Sequence, residues 1–376
     1  MFYIVHALYR PNTAPANRAL SFFRGFSEAG VKAHVLYFMP DTSYSKVKES
    51  FPGITIEYLW DKGYINHPIF KYVSYVKYLI TFLRRLKKGD TVYVYAKADI
   101  MRLLVRRKDV KVFYELTEHP EVHPPYGKAS KIKLKDFISH CKRVDGLFVI
   151  SNGLKDYFIS KGVAADKVSI INMTVDYTRF ENLQKKNNGQ SNIVFCGTIK
   201  NSIDGVDDLI KAFALISSSY PSVNLHILGR IDKTNKDYQD NVRLVETLNL
   251  SDRVVFTGAV PYNEVPQHLV DASVLALDRP DCLQAQYGFP TKLGEYLLSG
   301  NPVVVTAVGD IPYYLIDKEN ALLAKAGSPE LFAEKLSWAL SHPEEATMIG
   351  KKGRQLAQNE FNYRDVVRKV VELMGL

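Results

Sequence analysis

Cysteine is scarce in this chain, with three residues in 376, at Cys141, Cys196 and Cys282. An odd count at such distances gives neither a disulfide framework nor the close pairs of a zinc site, so a reducing cytoplasm is expected. A signal-peptide pattern is not seen either, so no secretory leader is expected. MFYIVHALYR (Met1–Arg10) reads as a buried strand, not as a basic stub ahead of an apolar core. Long apolar runs are also missing. The nearest to one, Phe70–Leu86, is interrupted by Lys71, Lys77, Arg84 and Arg85, which argues against a membrane span. There is no Asp-x-Asp triplet and no His/Cys/carboxylate cluster with metal-ligand spacing, so no metal and no resident cofactor are expected. Walker loops, a G-x-G-x-x-G fingerprint and a G-x-S-x-G elbow are absent too.

What is present describes a globular α/β protein. At 376 residues the chain exceeds one ordinary core, and two domains are expected. The net charge of +9 is uneven: residues 1–182 carry 29 lysines and arginines against 17 acidic residues, and the remainder carries 20 against 23. A basic first half points to an anionic partner, such as a phosphate-bearing acceptor or an acidic lipid surface. A nucleic-acid partner is not expected, since no recognition motif accompanies the charge.

Short β-branched or aromatic runs alternate with helical stretches throughout, the mark of βαβ units and parallel sheets. The first half predicts strands at Phe2–Ala7, Ala33–Phe38, Ile54–Tyr58, Thr91–Tyr95, Lys111–Leu116, Gly146–Ile150 and Val168–Ile171. LQKKNNGQ (Leu183–Gln190) is polar and unpatterned and reads as a linker. The alternation then restarts at Asn192–Cys196, so the expected domains are 1–182 and 191–360, with 361–376 as a helix packing back on the first. Two tandem doubly wound domains, with ligand at the strands' carboxyl ends, is the architecture this implies.

Two strands of the second half end in glycine with a basic residue close by: Gly197 with Lys200, and Gly229 with Arg230. Glycine there lets a ligand approach the backbone, and a nearby cation suits phosphate, although strand-end glycines are also ordinary turn devices. The stretch YGFPTKLGEYLLSG (Tyr287–Gly300) says more. Pro290 suits a helix start, and the N–H groups that follow form an anion site. Lys292 sits in that first turn, where the helix dipole disfavours a cation unless a phosphate lies between them. Glu295 follows one turn later on the same side and can accept hydrogen bonds from a ribose diol, the plain alternative being a Lys292–Glu295 surface pair. In the first half, Asn17 and Arg18 open the first helix and are candidates for acceptor binding. Glu118 and His119 follow the strand Lys111–Leu116, where a histidine can act as a base or bind a sugar hydroxyl.

These segments together resemble the retaining glycosyltransferases of the GT-B fold, group-one class, over nearly the whole chain. ISNGLKDYFISKGVAADKVSIINMTVDYTRF (Ile150–Phe180), FCGTIKNSIDGVDDLIKAFALI, RVVFTGAVPYNEVPQHLVDASVLAL (Arg253–Leu277) and FPTKLGEYLLSGNPVVVT carry the likeness, the last matching a subgroup with Pro-x-Lys-x-x-Glu-Tyr. The resemblance implies two Rossmann-like domains facing across a cleft and a metal-independent hexosyl transfer from a nucleoside-diphosphate sugar to a glycan or lipid-linked acceptor in bacterial surface polysaccharide synthesis. The cytoplasmic enzyme would work at the inner face of the membrane. Glu295 matches the family's ribose-holding glutamate, and Gly288, Phe289 and Thr291 match the loop whose backbone meets sugar and diphosphate. His119 matches a histidine near the transferred sugar. Three positions depart from the pattern: Tyr287 stands where a second glutamate is usual, and Thr198 and Asp204 where an arginine and a lysine clamp the diphosphate. Lys292, with Lys200 or Arg230, is expected to supply that charge. The departures leave two other readings open, a non-catalytic sugar-nucleotide-binding subunit and a GT-B-fold sugar-nucleotide epimerase.

Overall fold

The structure, a computed structural model, describes residues 1–7, 9–11, 13–38, 46–58, 68–124, 133–186 and 191–376, with the side chains of 68–71 excepted. The end of the expected linker, 187–190, lies outside the described residues. The chain divides into two compact units, Met1–Asn172 with Tyr363–Leu376, and Met173–Asn362.

Unit one is a seven-stranded parallel sheet in the order β3-β2-β1-β4-β5-β6-β7. Its strands are β1 (Phe2–His6), β2 (Ala33–Tyr37), β3 (Ile54–Tyr58), β4 (Thr91–Tyr95), β5 (Lys111–Leu116), β6 (Gly146–Val149) and β7 (Val168–Ile170). All five residues of β1 are buried, because helices cover both faces of a parallel sheet. Phe22, Phe23, Phe26, Tyr37 and Tyr93 fill the core between this sheet and the helix Ala14–Glu28. The helix Tyr363–Met374 joins the same core through Val366, Val367, Val370 and Met374. Gly25 makes that docking possible, since a Cβ there would overlap the side chain of Val367.

The helix Pro68–Arg85 is amphipathic in an unusual sense. Tyr72, Val73 and Ile80 are 71%, 55% and 44% exposed. Lys77, Arg84 and Lys87 are exposed along the same stretch of chain. Among the described residues, no helix is long and apolar enough to cross a membrane.

Unit two repeats the plan with six parallel strands in the order β10-β9-β8-β11-β12-β13. These are β8 (Ser191–Cys196), β9 (Val223–Leu228), β10 (Val254–Gly258), β11 (Val274–Leu277), β12 (Val303–Thr306) and β13 (Leu322–Ala324). The order reverses between β8 and β11, which opens a crevice beyond their carboxyl ends where doubly wound sheets bind ligands. β13 and the helix Ala98–Leu104 escape sequence reading, because three and seven residues are too few to establish a period.

The unit boundary also differs from expectation. Unit two begins at Met173, so 173–182 does not belong to the first unit. The cause is packing: Gly294 leaves room for Met173 and Val175, whose methyl groups a Cβ at that position would overlap.

Candidate functional site

The site helix of unit two, Thr291–Leu298, starts after Pro290, whose fixed φ of −75° suits a residue leading into a helix. Thr291 and Lys292 occupy its first turn, where backbone N–H groups have no carbonyl one turn earlier to receive them. Tyr296 pins the helix to β8: its hydroxyl accepts from the Cys196 amide at 2.6 Å and donates to the Cys196 carbonyl at 3.0 Å. Leu293, Leu297 and Leu298 are buried beneath. This leaves Lys292 and Glu295 only partly buried.

Lys292 turns back over the carboxyl end of β8. Its ammonium lies 5.0 Å from the centre of the Phe195 ring. It is so near Gly197 that a Cβ on that glycine would overlap Nζ. Gly229 is likewise required to be glycine, since a Cβ there would overlap the Gly197 carbonyl oxygen. Both glycines therefore let strand ends and a lysine converge. The ammonium is also paired with Asp204, Nζ to Oδ2 at 2.6 Å, and the Asp204 side chain is only 5% exposed. Burial pulls the Lys292 pKa below its ordinary value, and the neighbouring Asp204 carboxylate opposes that shift. The position expected to have lost a phosphate-clamping lysine thus holds the carboxylate that fixes Lys292.

Glu295 points to another partner. Arg179, in the turn Tyr177–Phe180, donates from Nη1 to Glu295 Oε1. Its Nη2 donates to the Tyr262 carbonyl at 2.6 Å, and its guanidinium lies 3.6 Å from the centre of the Tyr262 ring. Burial raises the Glu295 pKa while Arg179 lowers it. The Lys292–Glu295 surface pair that sequence allowed is not formed, because each residue binds a different partner.

The remaining expected donor residues divide. Lys200, Arg230 and Thr198 are exposed, while Thr291, Gly197, Gly229 and Tyr287 are partly buried. Gly288 is buried. The Phe289 ring packs against Tyr314 and Phe361, at 5.5 and 5.6 Å between ring centres, so only its backbone is available to a ligand.

At the carboxyl end of β11, Asp278 is 3% exposed and its Oδ2 has no hydrogen-bond partner. Burial, with Asp208 and Asp207 adding to it, pushes its pKa up to about 8. Arg279, beside it, is buried and contributes positive potential at Lys292. Sequence reading missed both residues, as well as Arg179. The only signal was their place just after a strand or in a turn.

The candidates of unit one meet different surroundings. Arg18 was expected at the mouth of a ligand site, and the structure corrects this. It is buried, with Nε donating to Glu115 at 2.5 Å and Nη1 and Nη2 donating to the carbonyls of Asn172 and Ile171 at 2.7 and 3.2 Å. Tyr93 also donates to Glu115. A buried carboxylate in β5 requires such compensation, and Arg18 provides it. Asn17 is half-buried in the first turn of the helix Ala14–Glu28.

His119 is 2% exposed, and its ring meets Tyr157 edge to face at 4.4 Å between centres. Its Nδ1 accepts from the Glu121 amide at 3.3 Å, which leaves the proton of the neutral ring on Nε2. Burial lowers its pKa; Glu121 opposes the shift and Lys161 adds to it. His119 is therefore arranged as a hydrogen-bond donor rather than as a base. Glu118 precedes it, half-buried. Among the described residues no three His, Cys, Asp or Glu side chains converge as a metal-ligand group.

The family described as Glycosyl transferases group 1 matches residues 177–356. A GDP-mannose-dependent alpha-(1-6)-phosphatidylinositol monomannoside mannosyltransferase of Mycolicibacterium smegmatis is 25% identical over 177 residues, 46% of this chain and 44% of that protein. A putative colanic acid biosynthesis glycosyltransferase, WcaL of Salmonella typhimurium, is 24% identical over 237 residues, 62% of this chain and 57% of its own. The chain thus spans about half the length of the curated relatives it matches. Among solved structures, Anabaena Alr3699/HepE in complex with UDP superposes with a TM-score of 0.76 at 17% identity, covering 100% of this chain and 99% of that one. Sucrose-phosphate synthase from Thermosynechococcus elongatus gives 0.76 and 17%, covering 99% and 97%. The fold is GT-B, with two Rossmann-like parallel-sheet domains.

Proposed function

We propose that the protein, whose residues 177–356 match the family described as Glycosyl transferases group 1, moves a hexose from a nucleoside-diphosphate sugar to a glycan or lipid-linked glycan acceptor, as in the building of bacterial surface polysaccharide. The observation that carries this reading is the site helix, which sets Lys292 over the end of β8 and Glu295 one turn further on. The amides of the first turn and the Lys292 ammonium take the diphosphate, and Glu295 accepts hydrogen bonds from the ribose diol. That HepE was solved with UDP and with UDP-glucose supports a nucleotide-sugar donor.

Transfer then proceeds with retention and without a metal. The bond from the anomeric carbon to the leaving phosphate oxygen breaks, and the acceptor oxygen bonds to that carbon on the same face. The acceptor's proton passes to the leaving phosphate.

Thermal shift against a panel of nucleoside diphosphates and their sugars tests the donor site. A ligand at a hundred times its Kd stabilises by about 2.7 kcal/mol, which is readily measured. Glu295→Ala should weaken the selected nucleotide by about ten- to a hundred-fold, as expected for lost charge-assisted hydrogen bonds. Absence of any shift across the panel rules the function out.

A lipid-linked acceptor places the protein at the inner face of an anionic membrane, which the exposed apolar and basic side chains of the helix Pro68–Arg85 suit. Flotation with phosphatidylglycerol vesicles should recover the protein, less of it as salt rises, and phosphatidylcholine vesicles should not. Equal recovery with both lipids, or none with either, would remove the membrane from the proposal.

A further inference from the structure

Arg179 belongs to no expected part of the site, yet it is the residue that holds Glu295. Three contacts fix its guanidinium: one to Glu295 Oε1, one to the Tyr262 carbonyl, and its face on the Tyr262 ring. It thereby ties together three segments remote in sequence, the turn Tyr177–Phe180, the loop after β10 and the site helix. Such a fixed fork has little freedom to swing away as a gate.

The pairing is also one-sided. An arginine facing a carboxylate commonly bonds both oxygens in parallel. Here Nη1 takes only Oε1, while Nη2 is committed to a backbone carbonyl. Oε2 accepts no hydrogen bond from the described residues, and the Glu295 side chain remains 24% exposed against 12% for Arg179. One carboxylate oxygen is clamped and the other is presented outward. The clamp also acts on charge, because burial favours the protonated acid and Arg179 favours the carboxylate. An ionised carboxylate accepts from both hydroxyls of a cis-diol, whereas a protonated acid must donate at one oxygen.

Resting on the donor site proposed above, we infer that Arg179 is a positioning residue that makes Glu295 selective for a ribose diol, so that the protein discriminates ribonucleotides from nucleotides lacking the 2′- and 3′-hydroxyls. Arg179 itself touches no substrate. It acts by aiming Oε2 and keeping Glu295 ionised. Tyr262 supports it from below as a flat apolar platform that a lysine could not use in the same way.

The test compares UDP and GDP with their 2′,3′-dideoxy counterparts by calorimetry, on the full chain. The unaltered protein should bind the preferred ribonucleotide at least about tenfold more tightly than its dideoxy form, as expected for charge-assisted hydrogen bonds to the diol. Arg179→Met should bring that ratio to within about threefold of one while leaving the dideoxy affinity unchanged. A merely structural ion pair would weaken both ligands in parallel. Arg179→Lys keeps the charge without the fork and should give an intermediate ratio. It also stands in if the methionine variant does not fold. A preserved ratio in either variant overturns the assignment, as does an unaltered protein that binds both forms equally. Failure to bind any nucleoside diphosphate is a separate result: it removes the donor site itself, and the role of Arg179 with it.

Discussion

Lys292→Ala should lower kcat/KM by about ten- to a hundred-fold, the scale expected when a charge-assisted contact to phosphate is lost. The structure makes this a sharper experiment than a single substitution. Lys292 is also the counter-ion of Asp204, which is 5% exposed. Removing the lysine leaves a buried carboxylate without its charge partner, at a cost of about 3–5 kcal/mol. Part of any activity loss could therefore reflect a weakened fold. Adding Asp204→Asn to Lys292→Ala separates the two effects, because the amide carries no charge that needs pairing. The double variant should regain most of the melting temperature of the unaltered protein while kcat/KM stays low. If its kcat/KM recovers along with its stability, Lys292 serves the fold alone. Wild-type kinetics in Lys292→Ala would sink the phosphate role outright.

The pair has a second implication. In the proposed donor site, Asp204 and a bound diphosphate would compete for the same ammonium, so part of the electrostatic gain on binding would be offset by loosening the ion pair. Asp204→Asn by itself should thus be less stable without ligand and gain more in melting temperature from the selected nucleoside diphosphate than the unaltered protein does.

A second large stability effect is expected at Gly205, which ends the short helix Asn201–Asp204 and begins the helix Val206–Ser217. Its φ is +55°, in the left-handed region that favours glycine, and a Cβ there would overlap the carbonyl oxygen of Asp278. Strain from the dihedral alone costs about 1–2 kcal/mol. Overlap with backbone adds more, because Asp278 follows a buried strand and cannot yield. Gly205→Ala should therefore cost about 4 kcal/mol or more, a fall of about 10 °C at about 2–4 °C per kcal/mol for a unit of this size. Gly89→Ala is the control. Its φ is +89°, but nothing lies within 4 Å of the added Cβ, so it should lose only the dihedral part. Calorimetry that finds equal losses at both positions would show that the contact with Asp278 is soft.

Much of the fold could be read from sequence because a parallel sheet writes its signal locally. The run VVVT of β12 is wholly buried, and its β-branched residues between a glycine and a polar turn identify a strand without further context. Gly197, Gly229 and the site helix were legible for a similar reason, since strand ends and helix starts constrain the residues that occupy them. Local pattern does not decide which charge meets which. Arg18, expected at a ligand site, is the partner of Glu115, 97 residues away. Glu295, expected beside Lys292, is held by Arg179, 116 residues away.

The sequence by itself determined two doubly wound units, a glycine at each close approach of strand ends, and a helix carrying a lysine and a glutamate one turn apart. Each follows from steric and hydrophobic rules that act over a few residues. Only the tertiary structure decided that Asp204 fixes Lys292, that Arg179 aims Glu295 and that Arg18 is buried. Coulombic pairing depends on distance and burial, and both are set by packing segments that the sequence keeps far apart.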